Sequence, residues 1–162
     1  MNLIKQKISS LSLLPHLLLT AVSFAAIRLA NIILYASYAR SLFPVPYFEG
    51  QTAFSGELIK SYYQFMIDAG TLNVYWQTQL IDYAFILSLF LFGMILPLLV
   101  RRMYQPQTVP YQTATAVATL IPVGALFDAF ENLVSFVMLA QPLTFPNWIA
   151  LIYSTLASLK FA

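Results

Sequence analysis

Eighteen consecutive residues, Tyr83 to Val100, carry no charge, and Arg101-Arg102 end the run. About 20 apolar residues cross the ~30 Å hydrocarbon core of a bilayer, so this stretch reads as a transmembrane helix. The rest of the chain agrees with a lipid solvent. Sixty per cent of the 162 residues are hydrophobic and 9% are charged, against roughly 25% charged in a soluble domain. A chain of this size could not bury so much apolar surface in water.

Three further crossings are expected. With the first run taken as 81–100, they fall at about 13–38, 113–140 and 146–162. Pro97 and Pro122 lie inside crossings, which membrane helices tolerate because neighbouring helices satisfy the freed backbone groups. The N-terminal lead carries Lys5 and Lys7 like a signal peptide, but the apolar stretch continues to Tyr38 without a clear cleavage site, so it reads as a retained helix. The last crossing is short. Pro146 to Ala162 gives ~25 Å of helix, which either ends flush with the inner leaflet or belongs to a longer chain.

The long connection, 41–80, opens on SLFPVPYFEG, whose prolines oppose helix. Within it Leu58, Ile59, Tyr62, Phe65 and Met66 recur at helical spacing and Gly70 is a suitable C-cap, predicting a surface helix over 57–69. Thr71 or Asn73 is the expected cap of the helix that follows. With the N-terminus in the cytoplasm, Lys5, Lys7, Arg101, Arg102 and Lys160 fall inside, and only Arg40 and Lys60 fall outside. That split satisfies the positive-inside rule with both termini cytoplasmic in the inner membrane. Tyr47, Tyr62, Tyr63, Tyr75, Trp76 and Trp148 are then expected in an outer aromatic belt. The fold class is therefore an all-α, single-domain, four-transmembrane-helix bundle with a short interfacial helix.

Candidate chemistry concentrates in GALFDAFENLVS, residues 124–135. At 100° per residue, Gly124, Asp128, Glu131, Asn132 and Ser135 fall within about 60° of Asp128. An acid at the centre of a lone helix costs ~2.5–3.5 kcal/mol to insert, so this stripe must face the bundle. Arg28 lies fifteen residues past Leu13, and Asp128 fifteen past Thr113. Equal depth makes Arg28 the expected partner of Asp128 or Glu131, with Asn31 and Tyr35 on the same face. Tyr75, Gln79, Asp82 and Gly93 form a weaker stripe, with Asp82 near the outer boundary, and Lys160 sits near the inner end of the last crossing.

One arginine balances one acid, which leaves a negative charge or a proton unaccounted for. Surplus acids inside a membrane point to a site, whereas a single Arg–carboxylate pair can simply pin helix register. Arg28, Asn31, Tyr35, Asp82, Asp128, Glu131, Asn132, Ser135 and Lys160 are the candidate ligand or proton groups, and Asp128 and Glu131 the candidate acid–base pair. The lone His16, near the inner interface, reads as structural. With no cysteine in the chain and no His near the acids, no metal is expected. No nucleotide-binding or hydrolase motif is present, so no cofactor is expected, and the net charge of +2 gives no footing for nucleic acid.

The surface helix followed by AGTLNVYWQTQLIDYAF, the FDAFEN segment and the closing Lys160 together resemble a group of small bacterial four-helix membrane proteins with an FDxxEN-type third helix. No activity is assigned to that group, so the resemblance implies architecture and not function. It also implies that Lys160 belongs to a longer fourth helix. The leading expectation is a non-enzymatic protein of the bilayer that binds or moves a lipid, small molecule or proton, or that serves as a subunit beside a membrane partner or a second copy. The alternative is an intramembrane enzyme acting on a lipid-like substrate.

Overall fold

The computed structural model describes residues 1–161. It is all-helical, in the order α1 (Asn2–Ser9), α2 (Leu13–Ser41), α3 (Tyr47–Gln51), α4 (Gly56–Asp68), α5 (Leu72–Arg101), α6 (Val109–Ala140) and α7 (Asn147–Phe161). Three helices, α2, α5 and α6, are long and apolar enough to cross a membrane. The fold is that of a multi-pass membrane protein, and α2 shows why. Val22, Phe24, Leu29 and Ile32 stand on its surface, more than half exposed, where water would oppose folding and lipid does not. α7 has 15 residues, ~22 Å of helix, and is shorter than the other three.

The long helices stand in a row. α2 packs along α5, α5 along α6, and α6 along α7, while α2 has no comparable packing with α6. Gly93 on α5 permits the α5–α6 approach, because a β-carbon there would overlap Ile121 Cγ2 and lie 2.9 Å from its Cβ. Pro97 and Pro122 both sit within unbroken helices.

Two apolar cores brace the ends of the row. At the α4 end, Ile59, Tyr63 and Met66 of α4 meet Tyr75, Met138, Phe145, Ile149 and Tyr153. At the α1 end, Ile8 packs with Met94, Ile95, Leu98 and Ala118. Polar latches hold α1 in place: Arg101 Nη2 donates to Ser9 Oγ at 2.6 Å, Arg102 Nη1 to the Leu11 carbonyl at 2.6 Å, and Lys5 to Thr119 Oγ1.

Local chemistry sets the element boundaries. Pro44-Val45-Pro46 stays non-helical, but α3 starts immediately after it, since a proline obstructs helix before it more than after it. Ser55 Oγ accepts from the Leu58 amide at 3.3 Å to cap α4. Gly70, at φ +69°, ends it in the left-handed region that glycine reaches most easily. Thr71 is the N-cap residue of α5, yet its hydroxyl donates to the Ser41 carbonyl at 2.6 Å instead of capping.

Leu72–Leu80, the last part of the connection expected over 41–80, is helical and opens α5 directly after Thr71, one of the two expected caps. The expected aromatic belt is corrected in part. Tyr63 and Tyr75 are interior residues and not part of a belt, whereas Trp76 and Trp148 do face outward.

Candidate functional site

The polar stripe of α6 points inward: Asp128 is 7% exposed, and Glu131, Asn132 and Ser135 are fully buried. Lys160 of α7 reaches both acids, with Nζ 2.7 Å from Asp128 Oδ1 and 2.7 Å from Glu131 Oε2. α7 turns back from α6 and runs against it, so residues equidistant from Thr144 sit at one depth. Lys160 and Asp128 are each sixteen residues from it. At 1.5 Å per residue that places Lys160 ~20 Å down from the start of α7, well inside the row. Lys160 stands in the last turn of α7, as expected, and is at the same time a bridging cation of the interior.

Asp82 of α5 completes the cluster and is 2% exposed. Its Oδ2 accepts from Asn132 Nδ2 at 2.9 Å and from the Tyr47 hydroxyl at 2.9 Å. Asp82, expected near the outer boundary, is thus enclosed within the bundle. The Tyr47 ring also lies 5.3 Å from Lys160 Nζ, within cation–π reach. Burial, and then the Asp82 carboxylate, push the Tyr47 hydroxyl well above its ordinary range, so it stays a donor.

The expected pairing of Arg28 with Asp128 or Glu131 does not occur. Arg28 is exposed and makes no ion pair among the described residues. Equal depth was a sound inference, but α2 packs against α5 and not against α6. The buried face of α2 carries Ser23, Ala30, Leu34, Ser37 and Ser41, and Arg28 stands about 160° around the helix from Ala30. Asn31 and Tyr35 do not join the ion cluster either, and they line a cavity beside it.

That cavity, 620 Å³, lies where α2 and α6 fail to close on each other. Leu34, Phe85, Leu89, Leu120, Ile121 and Ala125 give it apolar walls, and Asp82, Asp128, Lys160 and the Tyr47 ring bound it on the polar side. Glu131 is not in its lining; it sits behind Lys160. Gly124 is open to it, since a β-carbon there would meet only the Lys160 carbonyl, at 3.9 Å.

Several interior polar atoms have no hydrogen-bond partner among the described residues: both amide atoms of Gln79, Asn132 Oδ1 and Glu131 Oε1. Among the described residues, no group of three or more His, Asp or Glu is placed to hold a metal ion. Sequence reasoning missed Tyr47 and the Ser37–Thr78 hydroxyl pair at 2.7 Å. Nothing in the sequence ties Tyr47 to Asp82, 35 residues away. No known protein family, curated protein or solved structure matches the chain.

Proposed function

We propose that this chain is a four-span protein of the cytoplasmic membrane, with both termini inside, that binds an amphipathic, lipid-like molecule in the cavity between α2 and α6. In this reading α7 is the fourth membrane element, descending beside α6 from the outer face. The split of Lys and Arg between the two sides supports the orientation. Binding rests on one observation, the 620 Å³ cavity with aliphatic and aromatic walls and a charged group of side chains at one side. The volume falls within the range of small-molecule sites, which are mostly apolar with a few convergent polar groups. Its place between two helices that do not pack on each other gives entry from the bilayer without passage through water.

Purified protein, in detergent and in nanodiscs, would be extracted and its bound lipid identified by mass spectrometry. Gly124→Leu places a branched side chain in the cavity, at a position where a β-carbon has only the Lys160 carbonyl within 4 Å, at 3.9 Å. The parent is expected to retain a specific amphiphile at close to one per chain, and Gly124→Leu to lose it. Equal retention by both, or none by the parent, refutes the binding reading. The chain has no native cysteine, so Glu49→Cys tests orientation. Labelling of that residue from the cytoplasmic side refutes it.

A further inference from the structure

The chemistry of the cavity's polar side defines the head group it accepts. This step rests on the binding reading above and goes beyond it. Among the side chains that touch the three acids, the donors are already committed. Tyr47 gives its hydroxyl proton to Asp82 Oδ2, and Tyr38 gives its own to the Val45 carbonyl at 3.0 Å. Asn132 donates to Asp82, and Lys160 lies between Asp128 and Glu131. The acceptors are not exhausted. Both hydrogen bonds to Asp82 arrive at Oδ2, which leaves Oδ1 without one among the described residues, although Asp82 is 2% exposed and lines the cavity. Lys160 meets Asp128 through Oδ1 at 2.7 Å.

Charge points the same way. Three carboxylates, Asp82, Asp128 and Glu131, are gathered around one ammonium, that of Lys160, and Arg28 is turned outward. With all three ionised, the excess is poorly screened across an apolar cavity. A phosphate or carboxylate head group would meet like charge at the acids, where the donors are taken, and would be left with the Asn31 amide and Tyr35 hydroxyl on the α2 wall. A protonated amine would meet two carboxylate edges and supply the hydrogen bonds they lack.

We infer that the cavity between α2 and α6 selects an amphiphile whose head group is a protonated primary amine, with Asp82 and Asp128 receiving its N–H groups and its chain lying along Phe85, Leu89 and Leu120.

The test compares single-chain C12 probes added below their micellar concentration to the full chain in nanodiscs, with dissociation constants read by native mass spectrometry. Dodecylamine carries charge and donors, dodecyltrimethylammonium charge alone, dodecanol one neutral donor, and dodecyl phosphate negative charge. The expected order is amine first, at least about tenfold tighter than the phosphate, with trimethylammonium between them. Asp82→Asn is expected to cut amine affinity about tenfold and dodecanol affinity by much less, since the neutral probe loses no charge attraction. Gly124→Leu should abolish binding of all four probes. If dodecyl phosphate or dodecanol binds as tightly as the amine in the parent, and Gly124→Leu removes that binding, the head-group inference is overturned and the cavity reading stands. That outcome would also mean that protons balance the cluster. If no probe responds to Gly124→Leu, the cavity reading itself fails. The probe series on the parent decides the question even if Asp82→Asn does not fold.

Discussion

Replacing Lys160 with Met removes the ammonium and keeps most of the stem, so the result reports charge more than packing. Each 2.7 Å contact that Lys160 makes with Asp128 and Glu131 amounts to ~6 kcal/mol of gross Coulomb attraction at an effective dielectric of about 20. Most of this offsets the cost of desolvating three charged groups, and the attraction of the intact cluster is not its net contribution. The loss on mutation is set by what is stranded, since breaking a buried pair costs ~3–5 kcal/mol. The chain unfolded within a membrane also finds partners for its polar groups, which pulls the value toward the lower figure. Lys160→Met is therefore expected to lose ~3 kcal/mol of unfolding free energy, measured by steric trapping in bicelles at pH 7. The triple variant Lys160→Met/Asp128→Asn/Glu131→Gln removes the stranded charges together with the cation and should recover at least half of that loss. A single variant within ~1 kcal/mol of the parent, or a triple variant no more stable than the single one, refutes the claim that Lys160 neutralises these acids.

Gly93→Ala forces a methyl group into Ile121 and should cost ~1–3 kcal/mol by overpacking; Ile121→Ala in the same chain should restore stability, as read by thermal melts in detergent. His16 is fully buried, with Nε2 donating to the Ile95 carbonyl at 3.1 Å and Nδ1 accepting from Arg102 at 3.3 Å. His16→Ala should therefore lose ~1–3 kcal/mol by removing a buried ring and both of its hydrogen bonds, and protease cleavage between α1 and α2 should rise; unchanged cleavage would sink this. Glu57 accepts from Asn147 Nδ2 at 2.8 Å and from Lys60 at 3.2 Å, and these partners, Asn147 first, hold its carboxyl below the ordinary value of 4.5. A depressed folded value means that its contribution is present above 4.5 and lost as pH falls below it. Trp148 fluorescence in a Trp76→Phe background should report α4 loosening from α7 only below that pH, and Glu57→Gln should remove the transition.

The legible parts of the fold were those written in periodicity. The uncharged run to Val100 fixed a crossing, and the spacing of Asp128, Glu131, Asn132 and Ser135 placed them on one inward face of α6, where all four are buried. The helix over Leu58–Met66 followed from the same rule and from Gly70. Neighbour identity was not legible from depth alone. Arg28 and Asp128 share a depth, but a helix has six neighbours' worth of directions, and α2 turns Ser23, Ala30 and Ser37 toward α5. That seven-residue spacing of small residues was a usable signal, because membrane helices approach through small side chains. Read first, it would have turned Arg28 outward. Lys160 was also within reach of sequence logic, by reflection about Thr144. Tyr47 was not, since a five-residue helix after two prolines has no period from which to read a direction.

The placement of α7 follows from the same small-residue rule and explains why the acids are tolerated at all. Its inward face is Ala150, Ser154 and Ala157, each fully buried, with Tyr153 beside them, so the helix can lie close along α6. Close approach alone would leave Asp128 and Glu131 with no counter-charge, since Arg28 is unavailable. One turn beyond Ala157 the chain presents Lys160, and its ammonium meets both carboxylates at the depth where they emerge. Asp82 is treated differently, held by two neutral donors from α6 and α3. The interior therefore contains one acid pair held by a cation and one acid held by hydrogen bonds, and the second borders the apolar cavity. An arrangement built only to pin helices would have closed that cavity and paired Asp82 as fully as its neighbours. Asp82 is 2% exposed, takes both of its hydrogen bonds at Oδ2 and lines a hydrocarbon-walled volume, which is the pattern the proposed amphiphile site requires of it.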